Sequence, residues 1–323
     1  MNADRVWPGV VPHPHGLRLI IISGWRYKIN NNNSNKKMKA KNYINAPLPF
    51  MGQKRRFIKD FKKALEDYPA DVTIVDLFGG SGLLSHVAKR EKPAATVIYN
   101  DYDGYHRRIE AIPRTNALLE RIRTITSPLP DGKMIPQLYR NQIQKLIADE
   151  EQRGFVDYIT LSSSLLFSMK YTNSLEELSK ETFYNNVRKS GYDATGYLDG
   201  LTIVRQDYKS LFNAYRATPG ALFLVDPPYL STEIGTYTMT WRLADYLDVL
   251  TVLQGHDFIY FTSNKSQILE LCEWIGSCHI SRNPFENAHR VDVNTTLNHT
   301  SRYTDIMLYK RQGDHEHVLL PAG

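Results

Sequence analysis

The sequence has few of the residues that build disulfide-linked or zinc-binding scaffolds. Only two cysteines, Cys272 and Cys278, occur in 323 residues, and no histidine pair lies near them. Their spacing supports neither a disulfide framework nor a zinc site, so we expect no metal ligands and a reducing cytoplasm. Long apolar runs are also absent: the longest run near the start, residues 19–23, is too short to cross a bilayer. No cleavage site follows it, and we therefore expect neither a signal peptide nor contact with a membrane.

Positive charge is abundant at the N-terminus and scarce elsewhere. The chain carries a net charge of +6, but residues 1–43 hold eight Lys or Arg and one Asp, which leaves a net charge of −1 for the remainder. The total is therefore weak evidence for a polyanionic partner. Two local excesses remain: six cations within residues 54–63, and thirteen Lys or Arg against ten acidic residues within residues 105–190. Each suits phosphate contacts and equally suits a solvated helix face.

Short β-branched runs alternate with helix-like stretches after residue 43. This alternation predicts an α/β fold, a mainly parallel sheet with helices on both faces. We expect six strands, the last of them a candidate antiparallel edge, at residues 72–77, 96–99, 201–205, 221–225, 258–262 and 303–309. The carboxyl edge of such a sheet forms a ligand crevice, and the unusual residues of this sequence follow the predicted strands.

About a hundred residues of helical pattern separate the second and third predicted strands. Because this connection is far longer than a usual crossover, we expect a mainly helical lobe over residues 105–195, inserted into a domain formed by residues 44–104 and 196–312. Within the lobe we expect helices at residues 107–123, 137–151 and 175–187. The Asn-rich tract at residues 30–35 cannot form a core, so we predict flexible tails at residues 1–43 and 313–323.

A glycine-rich turn follows the first predicted strand in the run Val75-Asp76-Leu77-Phe78-Gly79-Gly80-Ser81-Gly82. Glycines let the backbone approach a ligand closely, and the following helix start offers free N–H groups. This arrangement suits a nucleoside cofactor. A tight turn without a ligand has the same composition, and the spacing departs from the dinucleotide fingerprint.

Two carboxylates, Asp101 and Asp103, follow the second predicted strand. A carboxylate at this strand end can accept hydrogen bonds from both hydroxyls of a ribose. The alternative role is the N-cap of the next helix, and we expect one of the two residues to do only that. We assign the ribose to Asp101.

The strongest motif is the corner Asp226-Pro227-Pro228-Tyr229, which ends an apolar run. Two prolines fix φ and remove two backbone donors, so the corner presents acceptors only. An exocyclic amino group has two hydrogens to donate. The Asp226 carboxylate and the Pro227 carbonyl can accept both while Tyr229 stacks on the base. A structural turn without chemistry remains the alternative.

These motifs, in this order, resemble those of the Dam-like, α-group adenine-N6 DNA methyltransferases, over roughly residues 44–310. That family carries a lysine-bearing motif before the glycine turn, and Phe50-Met51-Gly52-Gln53-Lys54 is similar to it, with Gln53 where the family usually has glycine. An Asp-Phe pair of the family corresponds to Asp207-Tyr208. The resemblance implies a Rossmann-like methyltransferase sheet and S-adenosylmethionine as cofactor. The implied cofactor-binding residues are Phe50, Lys54, Asp76, Phe78, Gly79, Gly80, Ser81, Gly82, Asp101, Asp207 and Asp226.

The resemblance also assigns roles outside the cofactor site. It implies that the inserted lobe reads double-stranded DNA and that the protein acts as a monomer. We expect DNA contacts from Arg107, Arg108, Lys170, Tyr171, Arg188 and Lys189. Ser263-Asn264 is similar to a block that shapes the family's catalytic pocket, although a capped helix start explains this pair equally well.

The implied reaction is methyl transfer to N6 of an adenine that has been rotated out of the duplex. Three other functions stay open. An RNA guanine-N2 methyltransferase can carry Asp-Pro-Pro-Tyr, but it leaves the long lobe and the Lys54 motif unexplained. A DNA cytosine-N4 methyltransferase more often has Ser before the two prolines. A catalytically inactive DNA-binding module of the same fold is disfavoured by the intact Asp226 and Tyr229.

Overall fold

The computed structural model describes residues 41–167, 170–229, 241–279, 281–296 and 302–312. The predicted tails lie outside these residues, apart from residues 41–43. Tyr43 is buried in the core, and its hydroxyl donates a hydrogen bond to the carbonyl of Thr195. Lys41 forms an ion pair with Asp193. The packed chain therefore begins before the predicted boundary at residue 44.

The described strands form one seven-stranded sheet in the order β3-β2-β1-β4-β5-β7-β6. The strands are β1 (Thr73–Asp76), β2 (Thr96–Asn100), β3 (Leu201–Val204), β4 (Leu222–Val225), β5 (Asp257–Ser263), β6 (His289–Thr296) and β7 (Arg302–Lys310). Strands β1 to β5 are parallel, while β7 runs antiparallel to both β5 and β6. The strand order reverses between β1 and β4, which opens a crevice at the carboxyl edge. This is the predicted Rossmann-like sheet.

The end of the sheet differs from the prediction. The last strand is antiparallel as expected, but it is not an edge, because β6 pairs along its outer side from His289 to Thr296. Strand β6 was not predicted. Its sequence contains only two apolar residues, Val291 and Val293, and both are half-buried against the core. Such a strand gives little signal of alternating hydrophobicity.

Helices cover both faces of the sheet. On β1, Ile74 packs in the buried cluster that contains Phe61 and Val87, whereas Val75 packs in the cluster that contains Leu211 and Val249. Successive strand residues point to opposite faces, so the helices that carry Phe61 and Val87 lie on one face and those that carry Leu211 and Val249 on the other. Outside the lobe, the α-helices that the structure describes are α1 (Ile58–Glu66), α2 (Leu83–Glu91), α8 (Tyr208–Tyr215), α9 (Leu243–Leu253) and α10 (Ile268–Ser277).

The inserted segment is mainly helical, as predicted. Its helices are α3 (Tyr105–Glu110), α4 (Ile112–Thr126), α5 (Gln137–Gln152), α6 (Tyr158–Leu165) and α7 (Leu175–Ser179). The helix expected at residues 107–123 is divided between α3 and α4, and Pro113 occupies the first turn of α4. The helix expected at residues 175–187 ends at Ser179, because the backbone around Phe183 pairs with residues 133–135 instead.

The buried core of the sheet continues into the inserted segment. Ile74 of the sheet belongs to the same buried cluster as Ile122 of α4, Ile147 of α5 and Phe183. The described residues between 41 and 312 belong to one compact unit. In the part of the chain that the structure describes, no helix combines the length and the apolarity needed to cross a membrane.

Candidate active site

A cleft with an empty volume of about 760 Å³, part of it open to solvent, lies at the carboxyl edge of the parallel strands. Phe78 lines it after β1, Asp103 after β2, Gln206 after β3 and Asp226 after β4. The predicted residues that line the cleft are Phe50, Lys54, Phe78, Gly79, Gly80, Asp207, Asp226 and Pro228. The structure thus brings the glycine turn and the double-proline corner into one cavity.

The glycine turn is packed too closely for side chains. A Cβ atom on Gly79 would lie 2.3 Å from Cδ2 of Tyr99. The Tyr99 hydroxyl donates a hydrogen bond of 2.8 Å to the carbonyl of Gly80, whose φ is +49°. Gly82, with a φ of +72°, begins α2. Steric contact and left-handed backbone therefore both require glycine here.

Three predicted cofactor residues lie behind the turn or beside it. Ser81 lines a smaller recess next to Lys54 and Asp226. Asp76 and Gly82 are not among the residues that line the cleft. The Asp76 carboxylate is buried and accepts a hydrogen bond of 2.6 Å from the Ser85 hydroxyl. Burial, followed by the nearby Asp226 carboxylate, raises the pKa of Asp76 to about 7. Asp76 therefore contacts α2 behind the glycine turn and does not face the cleft.

The structure corrects the choice between the two carboxylates after β2. Asp101 is buried, and its oxygens accept hydrogen bonds from the backbone N–H groups of Tyr105 at 2.6 Å and His106 at 3.0 Å. It therefore caps α3 instead of facing the cleft. Asp103 lines the cleft. Desolvation there, followed by repulsion from Asp101, raises the pKa of Asp103. Asp103 is the carboxylate placed to meet a ligand.

Asn100, which the sequence analysis did not assign, fixes the floor of the cleft. Its side-chain amide donates hydrogen bonds of 3.0 Å to the carbonyls of Leu77 and Gln206, and its side-chain oxygen accepts one of 3.0 Å from the N–H of Gln206. The side chain is buried. One residue at the end of β2 therefore holds the segments that follow β1 and β3.

Lys54 contacts the double-proline corner directly. Its Nζ atom lies 2.6 Å from Oδ2 of Asp226 and donates a hydrogen bond of 2.8 Å to the carbonyl of Gly52. The Lys54 side chain is only 10% exposed and that of Asp226 19%. The same ammonium group lies 5.4 Å from the ring centre of Tyr229. Burial raises the pKa of Asp226, and the positive charge of Lys54 opposes that shift.

An aromatic wall forms another side of the cleft, and we define it as Phe78, Tyr208 and Trp241. The ring centres of Phe78 and Tyr208 lie 5.0 Å apart, and Tyr208 and Trp241 stack with centres 5.7 Å apart. Asp207 lies beside this wall and caps α8 through Oδ1, which accepts hydrogen bonds from the N–H groups of Lys209 and Ser210. Trp241 belongs to no motif, and no signal in the sequence identified it.

The Ser263-Asn264 pair does not form the capped helix start that was its structural alternative, because α10 begins at Ile268 with Gln267 as its N-cap residue. Oδ1 of Asn264 accepts a hydrogen bond of 2.9 Å from the N–H of Thr304, and the Asn264 N–H donates one of 2.9 Å to the carbonyl of Thr304. These bonds extend the β5–β7 ladder beyond the end of β5. Neither residue is among those that line the cleft.

Arg108, predicted to contact DNA, is instead an internal residue. It is 5% exposed, and its Nε atom lies 2.9 Å from Oδ1 of Asp157. Its guanidinium also donates a hydrogen bond of 2.8 Å to the carbonyl of Pro49. A guanidinium buried this deeply does not reach a phosphate, so this prediction is wrong. Arg108 ties the inserted lobe to the segment that carries Phe50 and Lys54.

The other predicted DNA-binding residues have more accessible positions. Lys170 pairs with Glu181 at 2.5 Å and Lys189 with Asp131 at 2.8 Å, and both cations are more than half exposed. The Arg107 guanidinium lies 4.2 Å from the ring centre of Phe155. The remaining two are Tyr171, which is half-buried, and Arg188, which is exposed and lies against Tyr192. Their contact with DNA stays a prediction.

The sheet is Rossmann-like, and its switch point holds a glycine turn, an acidic strand end and a double-proline corner. These features together place the protein in the class of Rossmann-like methyltransferases. Comparison with known proteins agrees. The chain is 36% identical over 280 residues to a protein of Haemophilus influenzae strain Rd named "Putative methyltransferase", an alignment that spans 84% of this chain and 93% of that protein. The chain belongs to the methyltransferase family of this Haemophilus protein. Methyltransferases of this fold typically use S-adenosylmethionine.

Two further comparisons add no detail about the substrate. No family model matches the sequence. Among solved structures, the crystal structure of precorrin-6y C5,15-methyltransferase from Geobacter metallireducens covers 82% of this chain and 94% of its own, with 9% identity and a TM-score of 0.34. At that TM-score the likeness bears on neither fold nor substrate.

Proposed function

We propose that this methyltransferase transfers the methyl group of S-adenosylmethionine to N6 of adenine in double-stranded DNA. The observation that carries the proposal is the shared cleft. In it, the Lys54–Asp226 pair and the double-proline corner lie with the glycine turn. Cofactor binding and activation of an amino group can therefore take place in one cavity.

The residues of the cleft fit this cofactor. Gly79 and Gly80 offer backbone without a Cβ atom, and Asp103 offers acceptors for two ribose hydroxyls. The aromatic wall offers a flat apolar surface, beside which the Asp207 carboxylate suits the amino group of a purine. When bound, S-adenosylmethionine supplies a methyl group activated by a sulfonium.

The corner supports activation of an amino nitrogen. Lys54 holds Oδ2 of Asp226, so Oδ1 and the Pro227 carbonyl are the acceptors that we assign to the two hydrogens of the N6 group. As the nitrogen takes the methyl group, the bond between that carbon and sulfur breaks, S-adenosylhomocysteine is left, and positive charge develops on the nitrogen. These fixed acceptors stabilise that charge, and loss of one N6 proton completes the reaction. Electrostatic stabilisation of this kind typically contributes on the order of a hundredfold or more per group.

The target base must leave the duplex to reach this corner. We expect the extruded adenine to stack on the aromatic ring of Tyr229, an interaction that contributes roughly 1–3 kcal/mol per base. Exposed cations of the lobe, Lys170, Arg188 and Lys189, are the candidate phosphate contacts that offset the cost of extrusion.

The test is incubation with isotopically labelled S-adenosylmethionine and either mixed-sequence duplex DNA or structured RNA, followed by hydrolysis and identification of the labelled nucleoside. Labelled N6-methyladenine from DNA is the expected product. N4-methylcytosine from DNA or N2-methylguanine from RNA would replace the proposal with one of its alternatives. Cofactor binding without any labelled nucleoside would favour an inactive DNA-binding module. The Asp226→Asn variant serves as the background control.

A further inference from the structure

Trp241 lines the cleft although no motif includes it. Its indole stacks on Tyr208 with an angle of 20° between the rings, and its centre lies 5.8 Å from that of Phe78. The residue is half-buried and packs against the core on the α8–α9 face of the sheet. Its ring therefore has one side against protein while the residue also borders the cleft.

The starts of two helices hold this wall in place. The Tyr208 hydroxyl donates a hydrogen bond of 3.1 Å to the carbonyl of Asp245 in α9. Asp245 in turn accepts a hydrogen bond of 2.8 Å from the N–H of Arg242, the residue that follows Trp241. The ring of Trp241 also lies 5.2 Å from that of Tyr246. Because these contacts already fix the side chains of the aromatic wall, binding of a flat ligand costs little side-chain conformational entropy.

The order of strand ends places the wall at the nucleoside side of the cleft. Asp207 and Tyr208 follow β3, and the catalytic Asp226 follows β4, with β2 and β1 between them. At the usual spacing of strands, three intervals correspond to about 14 Å. A ligand whose reactive methyl lies near Asp226 thus has its far end near Asp207. The far end of S-adenosylmethionine is its purine, which is flat and carries an amino donor suited to that carboxylate.

We propose that Trp241 is a binding residue for the purine ring of the cofactor. The inference rests on the cofactor part of the proposed function and not on the identity of the methylated nucleic acid. The methionyl end of the cofactor has no flat ring to stack on an aromatic wall, while stacking of a base on an aromatic side chain contributes roughly 1–3 kcal/mol. A target base enters the site only with nucleic acid, so binding experiments without nucleic acid isolate the cofactor.

Tryptophan fluorescence tests this assignment, with S-adenosylhomocysteine as the probe. The chain has four tryptophans, of which Trp274 is 55% exposed on α10 and is not among the residues that line the cleft. We expect the probe to change the fluorescence of the native protein and of the Trp274→Phe variant. In the Trp241→Phe variant the change should disappear although the probe still binds, as measured by calorimetry. An undiminished change in Trp241→Phe would overturn the proposal.

Affinity provides the second measurement. The Trp241→Ala variant should bind S-adenosylhomocysteine and adenosine about tenfold more weakly than the native protein, by the same factor for both, and Trp241→Phe should lose less. A thermal melt establishes that the variants are folded. Weaker binding of S-adenosylhomocysteine with unchanged binding of adenosine would place Trp241 at the methionyl end and refute the purine assignment. If the native protein itself binds neither probe, the cofactor part of the proposed function fails first.

Discussion

The ammonium group of Lys54 lies 2.6 Å from Oδ2 of Asp226, and this contact joins a motif at the start of the fold to the corner after β4. Both side chains are largely buried. A buried carboxylate that keeps its charge needs such a partner. Lys54 therefore controls the protonation and the orientation of the group to which we assign activation of the amino nitrogen.

Substitution of Lys54 by Met should lower the rate of methyl transfer by on the order of a hundredfold. It should also change the pH dependence. Burial raises the pKa of Asp226 and Lys54 opposes this, so loss of Lys54 moves the pKa of Asp226 further upward. Because the ionised carboxylate is the active form, activity is lost as pH falls through this pKa. The acidic limb of kcat/KM should therefore shift to higher pH in the variant.

The matched control is Lys59→Met, which removes an exposed lysine from α1. Its pH profile should coincide with that of the native protein. A Lys54→Met profile that also coincides with the native one would show that the ion pair does not set the ionisation of Asp226.

The Asp226→Ala variant should lose methyl transfer, again by a hundredfold or more, while it retains most of its affinity for S-adenosylhomocysteine. The reason is that we assign Asp226 to the target amine, and the cofactor keeps Asp103 and the glycine turn. Calorimetric titration together with single-turnover transfer separates the two effects. An equal loss of binding and transfer would contradict this assignment.

The two carboxylates after β2 should separate binding from stability. Asp103→Ala should weaken binding of S-adenosylhomocysteine, because Asp103 lines the cleft. Asp101→Ala should chiefly reduce the free energy of unfolding by about 1–2 kcal/mol, because it removes the cap of α3. Urea unfolding and calorimetry on both variants give the comparison. The reverse pattern would return the ligand-binding role to Asp101.

The Arg108→Ala variant should be strongly destabilised, by about 3–5 kcal/mol, because it leaves the Asp157 carboxylate buried without its partner. Urea unfolding measures this loss. The neighbouring Arg107→Ala variant, which lies on the same helix, should unfold nearly as the native protein does while its affinity for DNA decreases. If Arg108→Ala is as stable as Arg107→Ala, the buried ion pair contributes nothing to the fold.

Much of the fold was predictable, because the parallel strands are short apolar runs, and such runs favour buried strands over other local structures. The strand β4, Leu222–Val225, is buried at every residue and lies within the predicted range. Strand β6 escaped prediction because its pairing with β7 is a long-range property that its polar sequence does not reveal. The helix expected at residues 175–187 stops at Ser179 for a similar reason: tertiary contacts of Phe183 override local propensity.

The candidate site was predictable in its motifs but not in its contacts. The glycine turn and the double-proline corner are local patterns, and the order of parallel strands brings such patterns to one edge. Asp101 and Asp103 are two positions apart, and only the path of the turn decides which one faces the cleft. The burial of Arg108 and the position of Trp241 depend on residues distant in sequence, so local pattern cannot supply them.

The continuous core beneath the sheet and the inserted segment has a consequence for how the substrate preference of this protein can be altered. Since Ile122 and Phe183 share a buried cluster with Ile74, grafting a whole foreign segment in place of residues 105–195 would disturb the base on which the glycine turn is built. Under the proposed function, in which this segment contacts the DNA target, exchange of exposed side chains on the segment should redirect the enzyme toward another target, whereas chimeras that replace the whole segment should fail to accumulate as folded protein.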